Sequence, residues 1–207
     1  MLQRENVPHF LISYQNFIVM VHQFLRAGNT AVITGAGAGG IGFAVAAKCA
    51  ALGMRIVLAD IDQKALDSAQ KELVATGFNP ASLLSVQTDV SDYAAMEKLE
   101  KEARLFGNGR IDFLVLNAGV QAPTKDWGGK EQIAAWKKTL DVNLFGVLNG
   151  TQAFVEGIKD QNSPAGIVIT GSKQYVVFHF PKLQPSEFAR QATVASHLTI
   201  ADTNRTC

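Results

Sequence analysis

A chain of 207 residues that is 47% hydrophobic and 18% charged holds enough apolar material for one domain with a sizeable core and is too apolar for a disordered segment. Its formal net charge of +1, with no basic block, argues against a nucleic-acid partner. Two cysteines, Cys49 and Cys207, are too few for a disulfide framework and point to a reducing, cytoplasmic setting, and no apolar run approaches the roughly 18 residues of a membrane span.

Residues 1–28 form an extension ahead of the first strand. Phe10, Tyr14, Phe17, Val21 and Phe24 recur at alternating spacings of four and three, one face of a helix. Pro8 suits its first turn and Gly28 its end. The plain reading is a helix packed on the domain. The competing one is a targeting or membrane-surface segment carrying Arg4 and Arg26, although Gln15, Asn16, His22 and Gln23 interrupt any signal-peptide core.

From Thr30 onward apolar strands alternate with helical stretches. Strand runs are Ala31–Ile33, Ile56–Ala59, Leu83–Val86, Phe113–Leu116 and Ile167–Thr170, and helical stretches lie near 41–53, 62–76, 92–106 and 131–159. This order predicts an α/β fold, a doubly wound parallel sheet with helices on both faces. Gly107-Asn108-Gly109 and Asn162-Ser163-Pro164 read as surface turns.

The first βα junction, Thr34-Gly35-Ala36-Gly37-Ala38-Gly39-Gly40-Ile41-Gly42, organises the chain. Glycines 35, 37 and 40 fit G-x-G-x-x-G between a strand and a helix. Missing side chains let the backbone turn tightly and approach a pyrophosphate, and the helix N-terminus offers free N–H groups and a positive dipole end. The second strand ends in Asp60, 25 residues after Gly35, where a carboxylate can accept hydrogen bonds from an adenosine ribose. The bland alternative is a structural turn beside a solvated Asp. The carboxylate would repel a 2′-phosphate, and residues 34–42 hold no Lys or Arg to neutralise one. NAD is therefore expected over NADP.

Four further stretches fall in place around this loop. Thr88-Asp89-Val90 follows the third strand, with Ser91 as the expected helix N-cap. Asn117-Ala118-Gly119 follows the fourth strand, Asp141-Val142-Asn143-Leu144-Phe145-Gly146-Val147 lies in the long fourth helix, and Gly171-Ser172-Lys173-Gln174 follows the fifth strand. In this order the motifs resemble the short-chain dehydrogenase/reductase family over about residues 29–174. The loop departs from the family's T-G-x-x-x-G-x-G by one extra residue before Gly40-Ile41-Gly42. The resemblance implies a Rossmann-like fold with five of the family's seven strands evident. It also implies a small alcohol or carbonyl as substrate. It assigns Thr34, Gly35, Gly37, Gly40, Ile41 and Gly42 to the pyrophosphate loop, Asp60 to the ribose, and Asp89 and Val90 to the adenine. Asn117, Ala118 and Gly119 would line the cofactor, Asn143 would hold a water in a proton relay, and Ser172 would orient the substrate oxygen. No metal is implied. On the residues alone, Asn143 at the edge of the stripe Trp136, Leu140, Leu144, Val147, Phe154 and Ile158 reads as a buried amide in need of partners. It could equally be a structural Asn tying helix to sheet, and Ser172 a strand-end hydroxyl capping a turn.

The family's Tyr-x-x-x-Lys, whose Lys lowers the Tyr pKa for acid–base work, has no counterpart about a dozen residues after Ser172. The later Tyr175 is followed four residues on by His179. Residues 175–207 show no βα pattern and read as an atypical tail, foreign to the family by splicing, frameshift or gene prediction; a genuinely shortened protein is the competing view. The expected consequences are a fifth strand left as an edge and an apolar helix stripe short of cover, hence a poorly stable or self-associating chain. Three readings follow: an NAD-dependent oxidoreductase acting on a secondary alcohol or ketone, a non-catalytic dinucleotide-binding protein, and, well behind, a methyltransferase.

Overall fold

The computed structural model describes residues 23–121, 130–171 and 175–178. Strands β1 (Thr30–Thr34), β2 (Arg55–Asp60), β3 (Leu83–Gln87), β4 (Phe113–Leu116), β5 (Gly166–Thr170) and β6 (Tyr175–Phe178) form one sheet in the order β3-β2-β1-β4-β5-β6. The first five are parallel. The helices are α1 (Ile41–Ala51), α2 (Gln63–Ala75), α3 (Tyr93–Phe106), α4 (Lys130–Leu140) and α5 (Gly146–Asp160), with a 3-10 turn at Pro80–Ser82 and a π-helical turn at Asp141–Phe145.

Both faces of the sheet are covered, which is why β1 and β4 are apolar without alternation and buried along their length. On one face Ala31, Ile33, Ile56 and Leu58 pack with Ala46 and Cys49 of α1 and Leu66, Ala69 and Leu73 of α2. On the other, Val32, Val57, Leu114 and Leu116 pack with Met96, Leu99 and Ala103 of α3 and Phe154 and Ile158 of α5. Phe24 closes the end of the first face, its ring stacked on Phe113 at 5.8 Å. Burying a ring of that size is worth about 2–3 kcal/mol. Residues 23 and 24 are helical, and Gly28, at φ 82, donates its N–H to the Gly53 carbonyl. The rest of the helix expected over residues 10–24 lies outside the described residues.

Two local expectations are corrected. Asp92, not Ser91, caps α3: its carboxylate accepts the Ala94 N–H at 2.9 Å, while the Ser91 N–H and hydroxyl both donate to Asp89. The helix expected over 131–159 runs from 130 to 160 and carries a π turn at Asp141–Phe145. After the π turn Phe154 and Ile158 are buried, whereas Trp136 and Leu140 before it and Leu144 within it are about half exposed, a stripe short of cover. Finally, β5 is not an edge. Tyr175–Phe178 returns antiparallel along it, pairing Thr170 with Tyr175 and Ile167 with Phe178. Tyr-Val-Val-Phe is a strong strand former. The surface turns at 107–109 and 162–164 stand as expected, with Asn108 and Asn162 in the left-handed region. Among the described residues no helix is long and apolar enough to cross a membrane.

Candidate functional site

The strand order reverses between β1 and β4, so a crevice opens above their carboxyl ends. Thr34, the last residue of β1, ties the two strands together there. Its hydroxyl accepts the Asn117 N–H at 2.9 Å and the Ala118 N–H at 3.1 Å and donates to the Val115 carbonyl at 3.3 Å. The Asn117 amide then donates to the carbonyls of Thr34 and Gly35 at 3.1 and 3.2 Å. Thr170, at the end of β5, donates to the Asn117 side-chain oxygen at 3.3 Å. Gly35 needs its positive φ of 64° to make this turn, and a Cβ on it would meet Ala118 Cα at 2.8 Å. Asn117 and Ala118 thus form the floor under the loop.

The loop then divides in two. Ala36, Gly37 and Ala38 direct their N–H groups inward, to the Ala59 carbonyl (3.1 Å), Asp60 Oδ2 (2.9 Å) and the Ala65 carbonyl (3.1 Å). The second half, Gly39 to Gly42, leads into α1. Helices α2 and α3 are capped by Asp62 and Asp92, but at α1 the N-cap is Gly40, no side chain caps it, and its first turn holds no acidic residue. That helix end keeps orphan N–H groups and an uncompensated positive dipole end.

Asp60 stands beside this opening. Its Oδ1 accepts the Asp62 N–H at 3.1 Å, which leaves lone pairs on both oxygens for a further donor. The end of β3 is held to it through the Thr88 N–H and the Asp60 carbonyl, 2.8 Å. The Asp89 carboxylate is turned onto Ser91, and buried Val90 packs against Gly146, where a Cβ would come within 2.7 Å of Val90 Cγ2. Asn149 holds the same segment by donating to the Val90 and Ser91 carbonyls.

Asn143 lies in the π turn, a feature that recurs at functional sites. It is exposed, contrary to the buried amide expected, yet both ends of its side chain are engaged. Oδ1 accepts the Val120 N–H at 2.8 Å and Nδ2 donates to the Val120 carbonyl at 2.9 Å. The side chain therefore fastens the β4 loop, just past Gly119, to the helix. Ser172 lies outside the described residues. Sequence reading missed Thr170, Val120 and Ala65. Thr170 was findable from strand register, since Leu116 pairs with Ile169 and the next residues are Asn117 and Thr170; Val120 and Ala65 act through backbone atoms and carry no residue-type signal.

This cradle fits a dinucleotide pyrophosphate. Where a side chain would block the backbone the chain has glycine: a Cβ on Gly42 would overlap the Gly35 carbonyl and approach Asn117 Nδ2 at 2.7 Å, while around Gly39 there is open space. Among the described residues no group of three or more His, Cys, Asp or Glu could hold a metal ion.

The family model for short chain dehydrogenases matches residues 29–181. The 1-deoxy-11-beta-hydroxypentalenate dehydrogenase of Streptomyces avermitilis is 37% identical over 145 residues, covering 70% of this chain and 52% of that protein. The diacetyl reductase [(S)-acetoin forming] of Staphylococcus epidermidis is 35% identical, covering 72% and 56%. Among solved structures, a short-chain dehydrogenase/reductase from Burkholderia phymatum in complex with NAD superposes with a TM-score of 0.60 at 36% identity, over 70% of this chain and 50% of that one. The chain thus spans about half the length of the relatives it matches.

Proposed function

Because the chain belongs to the short-chain dehydrogenase family, we propose that it carries the nicotinamide-dinucleotide half of an oxidoreductase site acting on a small secondary alcohol or ketone. The observation that carries this is the uncapped N-terminus of α1 standing over the β1/β4 crevice between Asp60 and Asn117. The α1 N–H groups and Gly39–Gly42 would hold the pyrophosphate, Asp60 the adenosine ribose, and Asp89 and Val90 the adenine edge. Asn117 to Gly119 would line the nicotinamide side. When bound, the nicotinamide supplies the hydride acceptor or donor. The chain's own part is to fix that ring against the substrate and to exclude water: the Thr34–Asn117–Thr170 bonds hold the floor rigid, and Asn143 holds the Val120 segment at its rim. Ser172, two residues beyond β5, would orient the substrate oxygen. The preference for NAD follows from the carboxylate of Asp60, which repels a 2′-phosphate. A reducing, cytoplasmic place accords with the buried free thiol of Cys49. The domain reading is residues 29–174 as the cofactor domain, flanked by 1–28 and by 175–207, whose first residues, Tyr175–Phe178, add a strand to its sheet.

A second reading, binding without turnover, is favoured by the lack of a Tyr-x-x-x-Lys a dozen residues after Ser172. Titration of the chain with NADH and NADPH, followed by absorbance assays on a panel of secondary alcohols and ketones, separates the two. Tight NADH binding with turnover supports the enzyme, binding alone supports the second reading, and equal affinity for both cofactors refutes the role given to Asp60.

A further inference from the structure

Three successive loop donors are used inside the protein. Ala36 bonds to β2, Gly37 to the Asp60 carboxylate, and Ala38 to the first turn of α2. The donors left for an anion come after Ala38, and their position depends on where Ala38 is held. Gly37 lies flat on its support: a Cβ there would sit 2.7 Å from Ala65 Cβ and 3.0 Å from Asp60 Oδ2. The other carboxylate oxygen is fixed by Asp62, which in turn caps α2 by accepting the Lys64 and Ala65 N–H groups. An unbroken run of bonds therefore leads from the α2 cap through Asp60 to the loop. Beyond it, Gly39 turns at φ 81 with open space around its Cβ position.

We propose that Asp60 is a positioning residue for the pyrophosphate cradle, acting through Gly37, in addition to its contact with the ribose. This rests on the dinucleotide reading of the site. The two roles predict opposite signs for a ligand without ribose hydroxyls. If Asp60 only meets the ribose, neutralising it removes a negative charge near the diphosphate and strengthens binding of such a ligand. If it also holds the loop, Asp60→Asn sets an amide NH₂ against the Gly37 or Asp62 N–H, frees the loop, and weakens binding.

The test is calorimetric titration of the full chain with ADP and with 2′,3′-dideoxy-ADP, for the wild type, Asp60→Asn and Gly37→Ala, with ligand-free melting followed by circular dichroism. Gly37→Ala disturbs the same junction and leaves the charge of Asp60 in place. The expected result is a loss of about tenfold for dideoxy-ADP in both variants, with a melting transition that stays cooperative and falls by only a few degrees. Should Asp60→Asn fail to fold, Asp60→Glu, which keeps the charge but moves it off the Gly37 N–H, decides in its place. Dideoxy-ADP binding that is unchanged or tighter in either folded variant overturns the proposal. A wild type that binds neither nucleotide removes the dinucleotide reading itself, and the proposal with it.

Discussion

Replacing Thr34 by Val tests whether the crevice floor is held by a hydroxyl or by apolar packing. Val has nearly the same shape, so no cavity opens, but it has no acceptor. The Asn117 and Ala118 N–H groups, now 2.9 and 3.1 Å from the hydroxyl, both lose their partner at a residue that is 1% exposed. An unsatisfied buried group costs about 1–3 kcal/mol. Both donors are part-buried, so the lower end applies, and the pair should cost about 2–3 kcal/mol against a typical total of about 5–15. Thr34→Ser keeps the hydroxyl and removes one methyl, costing about 1 kcal/mol. Equilibrium urea unfolding should show the Val midpoint lowered by about 1–1.5 M at unchanged slope, roughly twice the drop of the Ser variant. A Val variant as stable as wild type, or more stable than the Ser variant, would refute the reasoning, because apolar transfer alone ranks Val above Ser.

Burial pushes the Cys49 thiol from 9.0 up to about 11. The folded state therefore keeps its proton to higher pH than the unfolded chain, and stability present below pH 9 is lost as pH rises toward 11. Relative to Cys49→Ala, the Cys49 chain should lose about 2–3 kcal/mol between pH 8 and 11 in urea titrations, and parallel curves would refute the burial. Asp112, 2% exposed, accepts the Thr30 N–H at 2.9 Å and the Arg110 guanidinium at 2.6 Å. Arg110 is half exposed and can turn to water, so Asp112→Ala should cost about 1–3 kcal/mol, the price of the orphaned Thr30 N–H, read as a lowered melting temperature. Leu140→Lys with Leu144→Lys should shift the chain toward monomer in sedimentation velocity, because both residues, like Trp136, are about half exposed. A wild type that is already monomeric at high concentration would count against this.

Sequence alone determined the sheet and the loop. Five apolar runs separated by helical stretches allow few other arrangements, since a parallel sheet must be covered on both faces, and each run became a strand within a residue or so of its expected ends. Thr34, Gly35, Asp60 and Asn117 were legible because each closes or directly follows an apolar strand run, at the carboxyl ends where such sheets bind ligands. The tertiary structure decided what depends on neighbours distant in the chain. The Gly37 N–H turns to Asp60 rather than outward, 23 residues away, and nothing local dictates that. Asn143 is exposed yet bonded at both ends of its amide, from within the π turn, to Val120, a backbone partner without a sequence signature. Tyr175–Phe178 became a sixth strand because the open edge of β5 presents unpaired N–H and C=O groups, a demand that exists only once the sheet is assembled.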